Sequence, residues 1–390
     1  MIKKVQVLIC LFLITVGYKA SSQVLDSASL SAQKYYTSID EAFKEPLKVY
    51  KLSLENSGGL PVNIDTLKNL QVLNLHGNDW DDALTELPER IGNLKYLQFI
   101  YVSNSNLYEL PESIGNLKNL KGISCLTLKT LPATIGQAGN LRSIEIYGGK
   151  TLPESLSGLT NLKELTINKS EKIPVIPSLE KLVIEDKTIF AILDPSLFTR
   201  LREIKFLQHT YGDPELSADS MEMLVTRLSK FPQLKSLDLI VSTEKAWKTV
   251  LTMKNLTTLS ARDTIPVAIT RLQKLSTISF CADSLNCERI SRLPGLWEIQ
   301  TNCITPHISR LKEIRKITFL EYSSFNEIPW EWLVDSLSTL PCLEEINARF
   351  INISSLPEGF KNLKQLKSVD FSRSDYLFYG GSGSDAVEVL

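Results

Sequence analysis

One apolar frame, L-x-x-L-x-L or its aliphatic equivalent, recurs in phase fifteen times between residues 49 and 371. It opens at Val49/Leu52/Leu54 and Leu70/Leu73/Leu75. It continues through Leu97/Ile100/Val102, Leu120/Ile123/Cys125, Leu141/Ile144/Ile146 and Leu162/Leu165/Ile167, and it closes at Leu366/Val369/Phe371. Six frames are preceded by a second recurring spelling: LPVNIDTLKNL (60–70), LPERIGNLKYL (87–97), LPESIGNLKNL (110–120), LPATIGQAGNL (131–141), LPESLSGLTNL (152–162) and LPEGFKNLKQL (356–366). Repetition has to be settled before domains are counted. A strand has period two, so Leu73 and Leu75 face one way while Asn74 faces the other. Leu60, Ile64, Leu67 and Leu70 close the far side of the same small core. A single coil of this kind leaves two core faces open to water, and only neighbouring coils can cover them. The 390 residues would ordinarily suggest two or three domains at about 150 residues each. The phase of the leucines instead predicts one stack of coils over residues 49–371.

The L-P-x-x-I-G-N-L-x-x-L spelling ahead of the strand frame resembles the leucine-rich repeat. It is the variant of plant disease-resistance-like and Ras-scaffold-like repeat domains and of exported bacterial proteins. The resemblance implies an α/β solenoid: a right-handed horseshoe with a parallel concave sheet of about 15 strands and irregular or short helical convex segments. The sequence departs from the family in one respect. The asparagine expected three residues past the strand stands clearly only at Asn78, while Ser105, Gly149, Ser170 and Lys187 occupy the place elsewhere.

The ends read differently from the repeats. Residues 1–22 carry Lys3 and Lys4, an apolar stretch over 5–16, and small Ala20 and Ser22 ahead of Gln23, the pattern of a secretory signal peptide. The apolar stretch is shorter than the roughly 20 residues a spanning helix needs. Ile9 ahead of Cys10 does not suit a lipidation signal, and an uncleaved anchor is the alternative reading. A secreted, periplasmic or cell-surface protein with no membrane span after cleavage is expected. Residues 23–48 form a leader and a cap helix. The helix is expected over 35–47, with Ser38 and Glu41 as a capping box and Pro46 as its stop. The Gly/Ser run after 371 makes 372–390 a flexible tail. Two long intervals should hold true outer helices, one with Met221, Leu224, Val225 and Leu228 on a face, the other begun by Pro329 with Trp330, Leu333 and Leu337. A third, 78–84, is an insert containing Trp80, which reads as a lid over the repeat edge or a contact residue.

Composition removes several functions. With a net charge of −1, no basic balance points to nucleic acid. Three histidines, none with an assignable partner, and the absence of G-x-S-x-G, H-E-x-x-H or a phosphate-cradling glycine loop leave no catalytic constellation, so no enzyme and no cofactor are expected. Asp79, Asp81 and Asp82 lack the loop that would hold Ca²⁺ and read as a solvated turn. No C-x-x-C pair supports zinc, and no metal site is expected. Cys125 fills a core slot. Cys281 and Cys303 lie at nearly equivalent places on adjacent strands with Cys287 close by, so a Cys281–Cys303 or Cys287–Cys303 disulfide is open to an exported chain.

What remains is the outward face of the strands. Its central column runs from Ser53, Asn74, Tyr101, Ser124, Glu145, Thr166 and Val183 through to Asp370. Phe99 and Tyr101 on one strand, small Gly122 and Ser124 on the next, and Glu145 and Tyr147 on the third would form a slot with aromatic walls and a carboxylate at its edge. Glu164 and Thr166 follow beside it. Aromatic side chains supply large contact area at low entropic cost. The same residues could also be ordinary cross-strand neighbours on a solvated sheet. The sequence thus predicts an interaction scaffold recognising a protein or peptide, with a surface glycan as the alternative ligand.

Overall fold

A computed structural model describes residues 23–55, 59–77, 84–147, 151–168, 170–184, 193–206, 217–239, 241–261, 264–301, 305–320, 330–348 and 358–370. The signal segment, Asn78 to Asp82 with Trp80, Gly149, Lys187, Cys303, Pro329, Phe371 and the tail lie outside the described residues. The chain divides into two compact units, Met1–Leu179 and Glu180–Leu390.

The first unit holds seven strands: β1 (Tyr35–Tyr36), β2 (Lys51–Glu55), β3 (Val72–His76), β4 (Phe99–Ser103), β5 (Gly122–Cys125), β6 (Ser143–Ile146) and β7 (Glu164–Ile167). All pair in parallel and in chain order. Register follows the frame. Leu52, Leu73, Ile100, Ile123, Ile144 and Leu165 stand side by side and are buried. Ser53, Asn74, Tyr101, Ser124, Glu145 and Thr166 stand side by side on the other face. The far wall of the core is a row of 3₁₀ turns, Ile64–Thr66, Glu89–Asn93, Glu112–Asn116, Ala133–Gln137 and Glu154–Gly158. Pro88, Pro111, Pro132 and Pro153 enter the last four in extended geometry, which the fixed φ of proline favours. Leu87, Ile91, Leu94 and Leu97 show the burial typical of one coil, at 5%, 0%, 0% and 0% exposure.

The turns touch so closely that glycine is required. A Cβ on Gly115 would lie 2.4 Å from the Thr134 carbonyl oxygen, and one on Gly136 would lie 2.5 Å from that of Ser155. Hydrogen bonds tie the coils further. Asn69, Asn119, Asn140 and Asn161, each one residue before a frame leucine, donate from Nδ2 to the carbonyls of Leu47, Lys95, Lys118 and Gly139 at 2.6–2.9 Å. This amide ladder stands at a different place from the family asparagine. At the family position, Ser105 and Ser170 are buried, and the Ser170 hydroxyl donates to the Lys172 carbonyl.

The N-terminal end corrects the expected cap. The helix spans only Ile39–Lys44, with Ser38 as N-cap accepting from the Glu41 amide. Tyr35 and Tyr36, expected inside that helix, form β1 and pair with Lys51 and Leu52. The ladder's first edge is thereby covered by an added strand that carries no frame. A short helix, Ser27–Ser31, capped by Asp26, precedes it. The leader is pinned by two buried amides: Gln71 Nε2 donates to the Gln23 carbonyl, the Leu25 amide donates to Gln71 Oε1, and Gln98 Nε2 donates to the Leu25 carbonyl.

The second unit holds β8 (Lys181–Ile184), β9 (Glu203–Phe206), β10 (Ser236–Asp238), β11 (Thr258–Ser260), β12 (Thr277–Ser279), β13 (Glu298–Thr301), β14 (Lys316–Phe319), β15 (Glu345–Asn347) and β16 (Ser368–Asp370), again parallel and sequential. Sixteen strands are thus described against about fifteen expected, β1 being the addition. True helices replace several turns here. Ala218–Leu228 buries Met221, Leu224, Val225 and Leu228 as its spacing predicts. Trp330–Ser338 buries Leu333 and Leu337. Glu244–Val250 and Ser284–Ile290 are helices that spacing alone did not single out; Thr243 and Asp283 cap them. Among the described residues no helix is long and apolar enough to cross a membrane.

Candidate interaction surface

The expected slot sits on β4, β5 and β6 of the first unit, where the parallel register places Phe99 beside Gly122 and Tyr101 beside Ser124, which in turn neighbours Glu145. Phe99 and Tyr101 project from the same side of β4 with ring centroids 6.1 Å apart and planes 10° from parallel. Two facing walls are not what the backbone builds. A Cβ on Gly122 would lie 3.1 Å from Phe99 Cδ1, so the Phe99 ring lies over Gly122 and closes that part of the floor. The open part is the Ser124–Glu145 floor beside Tyr101, which is 43% exposed.

Glu145 is the organised charge of this surface. Ser124 Oγ donates to its Oε2 at 2.7 Å, and the Tyr147 hydroxyl donates to its Oε1 at 3.5 Å. Burial pushes the Tyr101 phenol above its ordinary pKa, with smaller contributions from Tyr35 and from Glu145. Thr166 is the in-register neighbour of Glu145 on β7 and is half-buried, while Glu164 is exposed on the flank beside Ser143. The structure therefore brings Phe99, Tyr101, Ser124, Glu145 and Tyr147 together and places Glu164 and Thr166 on the adjoining strand.

Val183, placed in the outward column, is 8% exposed and belongs with the buried residues. Tyr35 is a contributor the sequence did not reveal; it is 43% exposed, and its ring carries Lys51 Nζ 4.1 Å from its centroid. Elsewhere a surface cavity of about 520 Å³ in the second unit is lined by Trp297, Glu313, Arg315, Lys316, Glu344 and Glu345. Two of its three carboxylates are already paired, Glu345 with Lys316 at 3.5 Å and Glu344 with Lys367 at 3.0 Å.

Two cysteine expectations separate. Cys281 is disulfide-bonded, while Cys287 is a free, buried thiol. The Cys287–Cys303 pairing is therefore overturned: Cys287 packs inside the coil from the helix Ser284–Ile290, where burial pushes its thiol up to about 12. Cys125 is free and buried as its core slot implies. Among the described residues no group of three His, Cys, Asp or Glu is placed to hold a metal ion. His76 Nδ1 lies 2.7 Å from Ser103 Oγ on the neighbouring strand.

Repeat phase, in-register parallel strands and stacked turns define a leucine-rich repeat solenoid, and residues 80–174 match the leucine-rich repeat region family. The same frame and strand ladder recur on both sides of the matched stretch. No curated protein matches the sequence. Among solved structures, the chain is similar to a leucine-rich repeat protein of Leptospira interrogans at 21% identity, over 87% of this chain and 95% of that one, with a TM-score of 0.45. It is similar to an internalin of Listeria monocytogenes at 18% identity, over 84% and 88%, with a TM-score of 0.43. A plant peptide hormone receptor, RGFR1, in complex with RGF2, matches at 16% identity over 83% of this chain and 66% of that one, with a TM-score of 0.35.

Proposed function

We propose that the protein is an exported, non-enzymatic scaffold that recognises a protein or peptide segment on the outward face of its first-unit strands. The observation that carries this is the exposed Tyr101 ring beside a carboxylate tethered by Ser124 and Tyr147, on side chains the core does not need. Mixed aromatic, hydroxyl and carboxylate chemistry suits a polypeptide, whose segments offer apolar, hydrogen-bonding and charged groups together. Export rests on the signal pattern of residues 1–22 and is supported by the oxidised Cys281, because disulfides persist in oxidising compartments. The proposed partner of Cys281 is Cys303. The test is capture of binding partners from the protein's native surroundings by wild type and by Tyr101→Ala/Tyr147→Ala, run beside a glycan array. Loss of capture in the double variant at unchanged melting temperature supports the reading. Unchanged capture removes the slot, and glycan binding that the double variant loses assigns the face to sugars instead.

A further inference from the structure

Three carboxylates on the outward strand faces, Glu145, Asp238 and Glu298, are held by hydroxyl donors from neighbouring positions. Asp238 accepts from Ser260 Oγ at 2.8 Å, and Glu298 lies within 3.4 Å of Thr277 and Thr318 hydroxyls. What differs is the charge beside them. Lys205 is the in-register neighbour of Asp238 and Lys316 that of Glu298, so a cation stands on the adjoining strand, although each lysine pairs with a further carboxylate, Glu203 and Glu345 respectively. The in-register neighbours of Glu145 are Ser124 and Thr166, both neutral. Its two hydrogen-bond donors are hydroxyls, and among the described residues no lysine or arginine lies within ion-pair distance of it.

The tyrosines show a parallel contrast. Lys34 lies over Tyr36 at 4.2 Å, Lys51 over Tyr35 at 4.1 Å and Lys129 over Tyr108 at 3.7 Å. Among the described residues no cation lies over Tyr101, although its ring is held in place by stacking on Phe99 and is as exposed as that of Tyr35, at 43% each. An aromatic face and a tethered carboxylate two strands apart, about 10 Å along the sheet, therefore flank a small-residue floor without internal charge balance. A cation entering there gains a charge-assisted hydrogen bond to a carboxylate whose rotamer Ser124 and Tyr147 already fix, and it meets the ring face that attracts cations.

We propose that the Tyr101–Ser124–Glu145–Tyr147 surface takes the cationic side chain, arginine or lysine, of an extended polypeptide segment. This rests on the reading that the face binds polypeptide, and it adds the charge of the residue selected. Phe99 anchors the Tyr101 ring, Ser124 and Tyr147 orient the carboxylate, and Glu145 supplies the negative charge.

The experiment selects from a synthetic library of short peptides with randomised central positions, using purified full-length protein as bait. Wild type is expected to enrich peptides with arginine or lysine at one position. Glu145→Gln should lose that preference and bind the best cationic peptide about tenfold more weakly, equal to about 1.4 kcal/mol. Asp238→Asn, a control on the other unit, should leave the preference unchanged. Replacing the selected arginine by neutral citrulline should weaken wild type and leave Glu145→Gln unaffected, closing a double-mutant cycle. Peptides selected without cation preference, or an identical preference in Glu145→Gln, would overturn the proposal while leaving polypeptide recognition standing. Selection of no peptide, with glycans retained on an array, would overturn both.

Discussion

Replacing Gly115 by alanine should destabilise the protein, although helix-like turns usually welcome alanine. The added Cβ would lie 2.4 Å from the Thr134 carbonyl oxygen, 2.9 Å from Thr134 Cβ and 3.0 Å from its carbonyl carbon. Two of those atoms are backbone, so the turns Glu112–Asn116 and Ala133–Gln137 must part by about 1 Å to restore ordinary contact. Overpacking of this kind costs about 1–3 kcal/mol. Against it stands the loss of unfolded-chain freedom that glycine had allowed, about 0.4–1 kcal/mol in favour of alanine. The net expectation is a loss of about 1–2 kcal/mol. Gly139 makes the internal comparison: nothing lies within 4 Å of its Cβ position and its φ is not left-handed, so Gly139→Ala keeps only the favourable contribution, a gain of about 0.4–1 kcal/mol. Urea unfolding followed by circular dichroism reads both. If Gly115→Ala equals or exceeds wild type, or if both variants lose the same amount, the close stacking of turns is not what requires glycine.

Two further outcomes follow from buried polar groups and thiols. Gln98 is 1% exposed and holds the leader through the Leu25 carbonyl, so Gln98→Ala should cost about 1–3 kcal/mol and open residues 23–34 to limited proteolysis well before the rest of the chain. With a thiol alkylating agent at pH 8, native protein should react at Cys342, which is partly exposed; Cys125 and Cys287 should react only after unfolding, and Cys281 only after reduction. Labelling of native Cys287 at that pH would contradict a thiol pushed up to about 12 by burial.

The periodic part of the fold was readable because its cause is local. Every coil has to bury its own aliphatics, so the frame marks each strand from β2 onward, and Leu52 to Val369 land where period two puts them. β1 was not readable because its two residues carry no frame; Tyr35–Tyr36 is a strand only because Lys51–Leu52 offers an open ladder. The helices Glu244–Val250 and Ser284–Ile290 occupy intervals of ordinary length, and only their caps, Thr243 and Asp283, marked them locally. The binding of the leader by Gln71 and Gln98 spans 46 and 73 residues of sequence, beyond any local pattern. At the candidate site, strand alternation was enough to group Phe99, Tyr101, Ser124, Glu145 and Tyr147. The collapse of Phe99 onto Gly122 and the tethering of Glu145 depend on rotamers chosen across strands, which spacing does not specify.

Within each strand the inward residues hold the coil, and the outward residues are not needed for folding. β7 tests it within neighbouring positions, since Leu165 is 0% exposed while Thr166, next to it, faces outward beside Glu145. The decisive measurement is the unfolding free energy of Leu165→Ala against Thr166→Ala. The first should lose about 3–5 kcal/mol by cavity formation and the second less than about 0.5 kcal/mol. Equal losses in the two variants would contradict that separation of inward and outward residues.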